Sequence, residues 1–378
     1  MEKRLKIAIN VRTLLPGRLE GVGKFSHEVL RRLTVAHPEV DFYLFFDRKF
    51  DAQFIYGPNV HGISVFPQAR HPFLWWLWFH LSVPFHIRRI QPDLVISTDG
   101  FLPKTKSPTL NVIHDLNFVH RPKDMPNLAG AYWRHFIRKY VPLSTRIATV
   151  SHFSKKDIAE TYGYPEEKID VVYNAAGKEF HPLDEARKVE MRLKYSEGQP
   201  YFVYVGAINP RKNLETLFQA FDRFKDDDKH NFKLLVVGSE MFLTSELKHA
   251  LREMKHRNSL MFTGRLSVGE LPAVVASAHA LCLVSHLEGF GIPVLEAMQC
   301  GVPVIASNVT SLPEVGGEAA LYVSPTDVNA MASALEILAN DGEMWQRLSE
   351  AGLARAEKFS WDASAEKFWE IIQKTLKK

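Results

Sequence analysis

A chain of 378 residues, 46% hydrophobic and 24% charged, exceeds the usual size of one hydrophobic core and points to two domains. It holds neither repeats nor low-complexity tracts, which excludes a disordered, fibrous or solenoid protein. The net charge of +4 is unevenly placed: 25 Lys and Arg stand against 17 Asp and Glu up to Phe180 (+8), and 22 against 26 beyond it (−4).

In chain order, the charged opening residues carry no apolar stretch of signal-peptide type, so the chain is expected to stay in the cytoplasm. Short apolar runs then alternate with helix-period segments, the pattern of α/β layering. Strands are expected at Lys6–Val11, Phe42–Phe46, Gly62–Phe66, Leu94–Ser97, Thr109–Ile113, Arg146–Val150 and Asp170–Tyr173. Gly21-Val22-Gly23 precedes an amphipathic helix over Lys24–Leu33; it resembles a phosphate loop but lacks the third glycine of the dinucleotide fingerprint, so a plain helix start explains it as well. The run Phe73–Phe85, with three tryptophans but also His80 and Pro84, is too short to span a hydrocarbon core of roughly 30 Å. Its aromatic part, Phe73–Phe79, reads first as a helix packed in the core and second as a surface facing a membrane, which the basic first half would also suit. His114-Asp115 follows a strand at its carboxyl end, where a histidine either meets a ligand or is a satisfied loop residue.

The charged interval Gly177–Pro200 reads as irregular and as the domain boundary. Strands resume at Tyr201–Val205, Lys233–Val237, Leu260–Thr263, Ala280–Val284, Pro303–Ala306 and Ala320–Val323, and several run straight into Gly206, Gly238, Gly264 or Ser285. Open parallel sheets bind ligands at those ends. After Gly206, Arg211 and Lys212 are expected to open the next helix, where cations oppose the helix dipole; they could neutralise a departing diphosphate, or be a solvated pair. From Glu288, the run Gly289-Phe290-Gly291-Ile292-Pro293 predicts a helix starting near Ile292 whose free N–H groups suit a diphosphate. Glu288 and Glu296 flank that turn as acceptors for sugar or ribose hydroxyls; a strand–turn–helix corner with two surface glutamates is the alternative.

Cys282 and Cys300 lack any zinc or redox spacing and read as buried thiols. In Trp361–Leu376, Ala365, Phe368, Trp369, Ile372 and Leu376 are spaced for one helix face. No Asp-x-Asp motif is read as holding a divalent ion, so no metal is expected.

Together, Glu288-(seven residues)-Glu296, Val205-Gly206-Ala207 with Arg211-Lys212-Asn213, Phe262-Thr263-Gly264-Arg265-Leu266, Ile113-His114-Asp115 and Val150-Ser151-His152-Phe153-Ser154-Lys155 resemble the family 4 retaining glycosyltransferases over nearly the whole chain. Gly21-Val22-Gly23 and Phe359-Ser360-Trp361 match in place. The resemblance implies an α/β, GT-B fold: two Rossmann-like domains with parallel sheets facing across a cleft. An acceptor-side domain would span 1–177 and a nucleotide-sugar-binding domain 178–357, with a helix in 358–378 packing back on the first.

It further implies that Glu288, with the backbone of Gly289, Phe290, Gly291 and Ile292, holds the donor sugar and phosphates, and that Glu296 holds the ribose. Arg211 and Lys212, beside Gly206, would stabilise the leaving diphosphate; Arg265 and Leu266 would line the base; His114 would lie by the transferred sugar; Gly21 and Gly23 would approach donor and acceptor. The implied reaction is metal-independent, cofactor-free and retaining, by same-face substitution from a UDP-, GDP- or ADP-linked sugar to a glycan or lipid-linked acceptor of cell-surface polysaccharide such as lipopolysaccharide. Nucleic acid is not an expected partner; peripheral contact with the inner face of the membrane is. The alternatives are a nucleotide-sugar epimerase, a phosphorolytic enzyme of the same fold, or a non-catalytic sugar-nucleotide-binding subunit.

Overall fold

Runs such as Tyr201-Phe202-Val203-Tyr204-Val205 combine aromatic and β-branched residues without polar alternation, as strands covered on both faces require. The computed structural model describes residues 3–239 and 245–377, so Met1 and Glu2, at the head of the opening read above, lie outside the described residues. The chain divides into two compact units, Met1–Asn174 with Trp361–Lys378, and Ala175–Ser360.

In the first unit, β1 (Lys6–Asn10), β2 (Asp41–Phe46), β3 (Val60–Ser64), β4 (Leu94–Ser97), β5 (Thr109–Val112), β6 (Arg146–Thr149) and β7 (Ile169–Val171) form one parallel sheet in the order β3-β2-β1-β4-β5-β6-β7. In the second, β8 (Tyr201–Val205), β9 (Lys233–Val237), β10 (Leu260–Gly264), β11 (Ala280–Leu283), β12 (Val304–Ser307) and β13 (Leu321–Val323) are ordered β10-β9-β8-β11-β12-β13, again parallel. In both sheets the strand order reverses beside the first strand, between β1 and β4 and between β8 and β11. Loops leaving such a pair diverge and open a crevice for ligand at the strands' carboxyl ends.

The expected strands are present with edges shifted by a residue or two. Expected at Gly62–Phe66, β3 begins at Val60, because Asn59 anchors the chain there: its Nδ2 donates to Thr34 O, His37 O and Val40 O, and its O accepts from Phe42 N.

Two expectations on helices are corrected. The interval read as irregular contains the helix Glu185–Ser196, capped by the Asp184 carboxylate, which accepts from Arg187 N at 2.8 Å. Its apolar face is narrow, Met191 being its one buried apolar side chain, and the cap together with ion pairs such as Arg192–Glu185 takes the place of an apolar stripe. Gly21 and Gly23 do not precede the next helix; they lie in the first turn of Gly21–Ala36. A Cβ at Gly23 would stand 2.7 Å from Thr13 O, so backbone approach explains that glycine, whereas nothing lies within 4 Å of one at Gly21.

The aromatic run resolves into both faces at once. Pro72–Leu77 and Val83–Ile90 are helical, joined by a π-turn over Trp78–Ser82. Trp78 and Phe79 are wholly buried, with Trp78 Nε1 donating to Val65 O at 2.9 Å, while Phe73 and Trp76 are exposed. The last helix, Trp361–Leu376, belongs to the first unit: Phe368 packs on Phe25 with ring centroids 6.0 Å apart, Trp369 stacks on His37 at 3.7 Å, and Asp362 pairs with Arg32. Burying Phe368 alone is worth about 2–3 kcal/mol. Cys282 and Cys300 are free and buried, and burial, the main cause, pushes Cys300 up to about 12.

Candidate functional site

In the second unit the loops leaving β8 and β11 converge. After β8, Gly206 leads to a 3-10 turn, Pro210–Lys212, and the helix Leu214–Lys225 starts only beyond it. Arg211 and Lys212 therefore do not open that helix, as expected from their sequence neighbours; they occupy the turn before it. Asn213 makes this geometry. In the left-handed conformation at φ 58°, it donates through Nδ2 to Val284 O (2.9 Å) and Pro325 O (2.6 Å) and accepts from Thr216 Oγ1 (2.7 Å). The β8 loop is thereby tied to the end of β11, and His286 N donating to Arg211 O at 2.9 Å closes the link.

At that junction lies Glu288, 6% exposed. Its Oε1 accepts from Lys212 Nζ at 2.5 Å and Ser285 Oγ at 2.7 Å; its Oε2 accepts from Arg211 Nη1 at 2.8 Å. Arg211 Nη1 also donates to Leu287 O at 2.7 Å. Burial opposes ionisation of this carboxylate, but the charges of Arg211 and Lys212 prevail and hold it down to about 2. One carboxylate against two cations leaves the cluster one net positive charge.

Serine and threonine support it from the β12 side: Thr310 Oγ1 accepts from Glu288 N (3.2 Å), Ser311 Oγ donates to Glu288 O (2.9 Å), and Ser307 Oγ donates to Ser285 O (2.6 Å). None of these was singled out in the sequence except Ser285, as a strand-end residue. Hydroxyls at a strand end or on a loop carry no spacing signal.

Gly289 and Phe290 are buried, and Gly291, at φ 96°, caps the helix Ile292–Gln299. A Cβ at Gly291 would meet Leu312 Cδ2 at 2.5 Å, so this turn needs glycine. The helix begins where expected, and its N-terminus directly follows the Glu288 loop. Glu296 lies within this helix and is buried, not a surface glutamate. Gly206 flanks the cluster, a Cβ there standing 3.6 Å from Lys212 Cε. Arg265 and Leu266 follow β10 at the sheet's far end, Arg265 exposed and Leu266 half-buried.

The first unit holds a separate group. His114 follows β5, and with Nε2 donating to Thr98 O at 3.1 Å its neutral ring keeps Nδ1 as an acceptor. Burial, foremost, lowers its affinity for a proton; the Thr98 carbonyl, Asp115 and Asp99 pull the other way without reversing it. A cavity of about 230 Å³ is lined by His114, Asp115, Asn117, Asp99, Val22 and Trp133 among others, so the Gly21–Gly23 turn touches it through Val22. Ser154 Oγ, from the motif after β6, donates to His114 O at 3.2 Å; it is a second support without an assigned role in the sequence.

Among the described residues no three His, Cys, Asp or Glu cluster as a metal site. The sequence does contain an Asp-x-Asp spelling that the motif reading passed over, Asp226-Asp227-Asp228. Its outer carboxylates are engaged, Asp226 with His256 (2.9 Å) and Lys255 (3.2 Å), Asp228 with Lys225 and with Phe232 N (2.7 Å).

Two family models match the chain, "Glycosyltransferase Family 4" over residues 19–177 and "Glycosyl transferases group 1" over residues 187–355. The chain is 30% identical over 357 residues to O-antigen chain mannosyltransferase B of Escherichia coli, covering 91% of this chain and 93% of that one. It is 28% identical over 280 residues to O-antigen chain mannosyltransferase RfbU of Salmonella typhimurium, covering 74% of each. Among solved structures it is similar to a sucrose-phosphate synthase from Thermosynechococcus elongatus, with a TM-score of 0.77 at 19% identity over 98% of this chain and 99% of that one; this likeness shows the fold.

Proposed function

Since this chain belongs to glycosyltransferase family 4 (group 1) and has the GT-B fold of two Rossmann-like units, we propose that it moves a mannosyl residue from a nucleoside diphosphate mannose to a glycan or lipid-linked glycan of O-antigen type. The mannosyl donor and O-antigen acceptor rest on the likeness to these two mannosyltransferases. The observation that carries the chemistry is the triply bonded Glu288 carboxylate between Lys212, Arg211 and Ser285 at the foot of the helix Ile292–Gln299.

Breaking the bond from sugar to diphosphate moves negative charge onto the leaving oxygen, so whatever stabilises that charge lowers the barrier. In this reading Arg211 and Lys212 supply it, with one net positive charge in the cluster and the partial positive end of the helix adding to it. Glu288 aligns both cations and retains a lone pair on Oε2 for a donor sugar hydroxyl. Gly289 to Ile292 receive the phosphates, Glu296 the ribose, and Arg265 and Leu266 the base. His114, neutral through its burial, lies by the transferred sugar, and Gly21 and Gly23 approach donor and acceptor. Transfer is retaining and metal-independent, the acceptor proton passing to the departing phosphate. The protein works in the cytoplasm, where nucleotide sugars are its donors.

With nucleoside diphosphate mannose supplied, nucleoside diphosphate should be released only when acceptor glycan is present. Release without acceptor, or a new sugar isomer still attached to the nucleotide, contradicts transfer. Thermal-shift titration with UDP, GDP and ADP identifies the base, because a ligand that binds only the folded protein raises its stability.

A further inference from the structure

Where the strand order of the first sheet reverses, the loops leaving β1 and β4 carry a buried polar group that the donor-site reading leaves without a role. Asp99, its side chain 3% exposed, accepts on Oδ1 from Asn10 Nδ2 (2.7 Å), Ser97 Oγ (3.0 Å) and Phe101 N (3.3 Å), and on Oδ2 from Arg12 Nε. Arg12 is enclosed by aromatic rings: its guanidinium carbon lies 5.3 Å from the centroid of Phe101, 5.6 Å from Trp75 and 5.7 Å from Phe79. A planar, weakly hydrated guanidinium tolerates such faces, and its Nε edge still reaches a carboxylate. A buried ion pair adds little stability over well-packed apolar side chains, so its use lies in what it holds in place.

What it holds is the turn Thr98–Gly100. Thr98 Oγ1 donates to Asn10 O at 3.0 Å, Asn111 Nδ2 donates to Gly100 O at 3.2 Å, and Gly100 is left-handed at φ 87°. From this turn Thr98 O accepts from His114 Nε2 at 3.1 Å, the bond that decides which ring nitrogen carries the proton. Phe25, from the helix Gly21–Ala36, meets the His114 ring edge-on at 5.2 Å, and the charged groups that act on the ring are Asp115, on its own loop, and Asp99. Asp99 and His114 both line the cavity of about 230 Å³.

We propose that Arg12 and Asp99 are positioning residues for His114: the pair locks the turn Thr98–Gly100, so that Thr98 O holds the ring as its Nε2–H tautomer and leaves the Nδ1 lone pair for a ligand hydroxyl. The inference deepens the reading of His114 beside the transferred sugar and rests on that reading for its kinetic consequence alone; the tautomer belongs to the unliganded protein.

Long-range proton–nitrogen NMR of the full chain tests it, the His114 ring signal being identified by its loss in His114→Asn. The unmodified protein should show the Nε2–H tautomer, and Asp99→Asn and Arg12→Met should each populate the Nδ1–H form. Their titrations should move oppositely: Asp99→Asn removes a negative charge beside the ring and lowers its proton affinity, whereas Arg12→Met leaves Asp99 uncompensated and raises it. Arg12→Lys, which returns the charge, should bring the titration back. If Arg12→Met does not fold, Arg12→Met/Asp99→Asn, which leaves no unpaired charge, gives the same tautomer reading. In Asp99→Asn the kcat of mannosyl transfer should fall about tenfold or more, with nucleotide-induced thermal stabilisation unchanged. An unchanged tautomer in Asp99→Asn and in the double variant overturns the proposal, as do titration shifts of one sign in both single variants, the mark of loosened packing alone. A tautomer that changes while transfer does not upholds the positioning and contradicts instead the placing of His114 by the sugar.

Discussion

Lys212 Nζ stands 2.5 Å from Glu288 Oε1, and both side chains are almost wholly shielded from water. Burial works against the Glu288 charge, yet Arg211 and Lys212 hold the carboxyl at about 2, below its ordinary 4.5. A group depressed on folding stabilises the protein fully above its ordinary value and loses that contribution as pH falls toward the folded one, here between 4.5 and about 2. Glu288→Gln leaves two cations without a counter-charge, and should cost about 3 kcal/mol at neutral pH. Denaturant unfolding of both proteins should show the gap narrowing once pH drops below 4.5. A gap independent of pH contradicts an ionised carboxylate.

Gly291 and Gly21 should respond oppositely to alanine. At Gly291 the left-handed φ of 96° and the contact with Leu312 Cδ2 predict a loss of about 2 kcal/mol and a lower Tm, with weaker nucleotide stabilisation as the turn distorts. At Gly21 a Cβ meets open space within a helix, so Gly21→Ala should gain up to about 1 kcal/mol. Thermal unfolding of the two variants reads the contrast, and destabilisation by Gly21→Ala contradicts the helical assignment of that residue.

Burial keeps His114 below its ordinary 6.5, so the ring is neutral at physiological pH. If it meets the transferred sugar as neutral imidazole, any acid limb it causes in the pH profile of kcat lies below 6.5, and His114→Asn removes that limb. A limb above 6.5 that vanishes in the variant shows instead that the protonated ring was at work.

In the proposed reading Arg211 and Lys212 offset the diphosphate charge in place of a divalent ion, so transfer should be insensitive to excess chelator. Strict dependence of the rate on an added divalent ion overturns the metal-independent reading.

How much of this was legible follows from where the signal lies. Buried parallel strands are written as continuous apolar runs, which is why β8 and β9 fall at their expected bounds. The turn at Gly291 is legible because glycine followed by Ile-Pro announces a helix start. The Arg211–Glu288 and Lys212–Glu288 pairs are not, since each joins residues more than seventy positions apart and only the neighbouring strands β8 and β11 bring them together. Likewise Thr310 and Ser311 become supports of Glu288 only through the pairing of β11 with β12. The helix Glu185–Ser196 escaped because a cap and ion pairs, rather than an apolar stripe, define it. The Phe73–Phe79 run posed a choice between core and surface that composition cannot make, and the fold uses both faces.

The most direct test of the proposed chemistry is single-turnover mannosyl transfer by Lys212→Ala at saturating donor. Lys212 is proposed to act on the charge that develops as the diphosphate leaves, so the rate should fall about 100-fold or more while nucleotide still stabilises the folded protein. A transfer rate equal to that of the unmodified protein contradicts the assignment of this site to the leaving group.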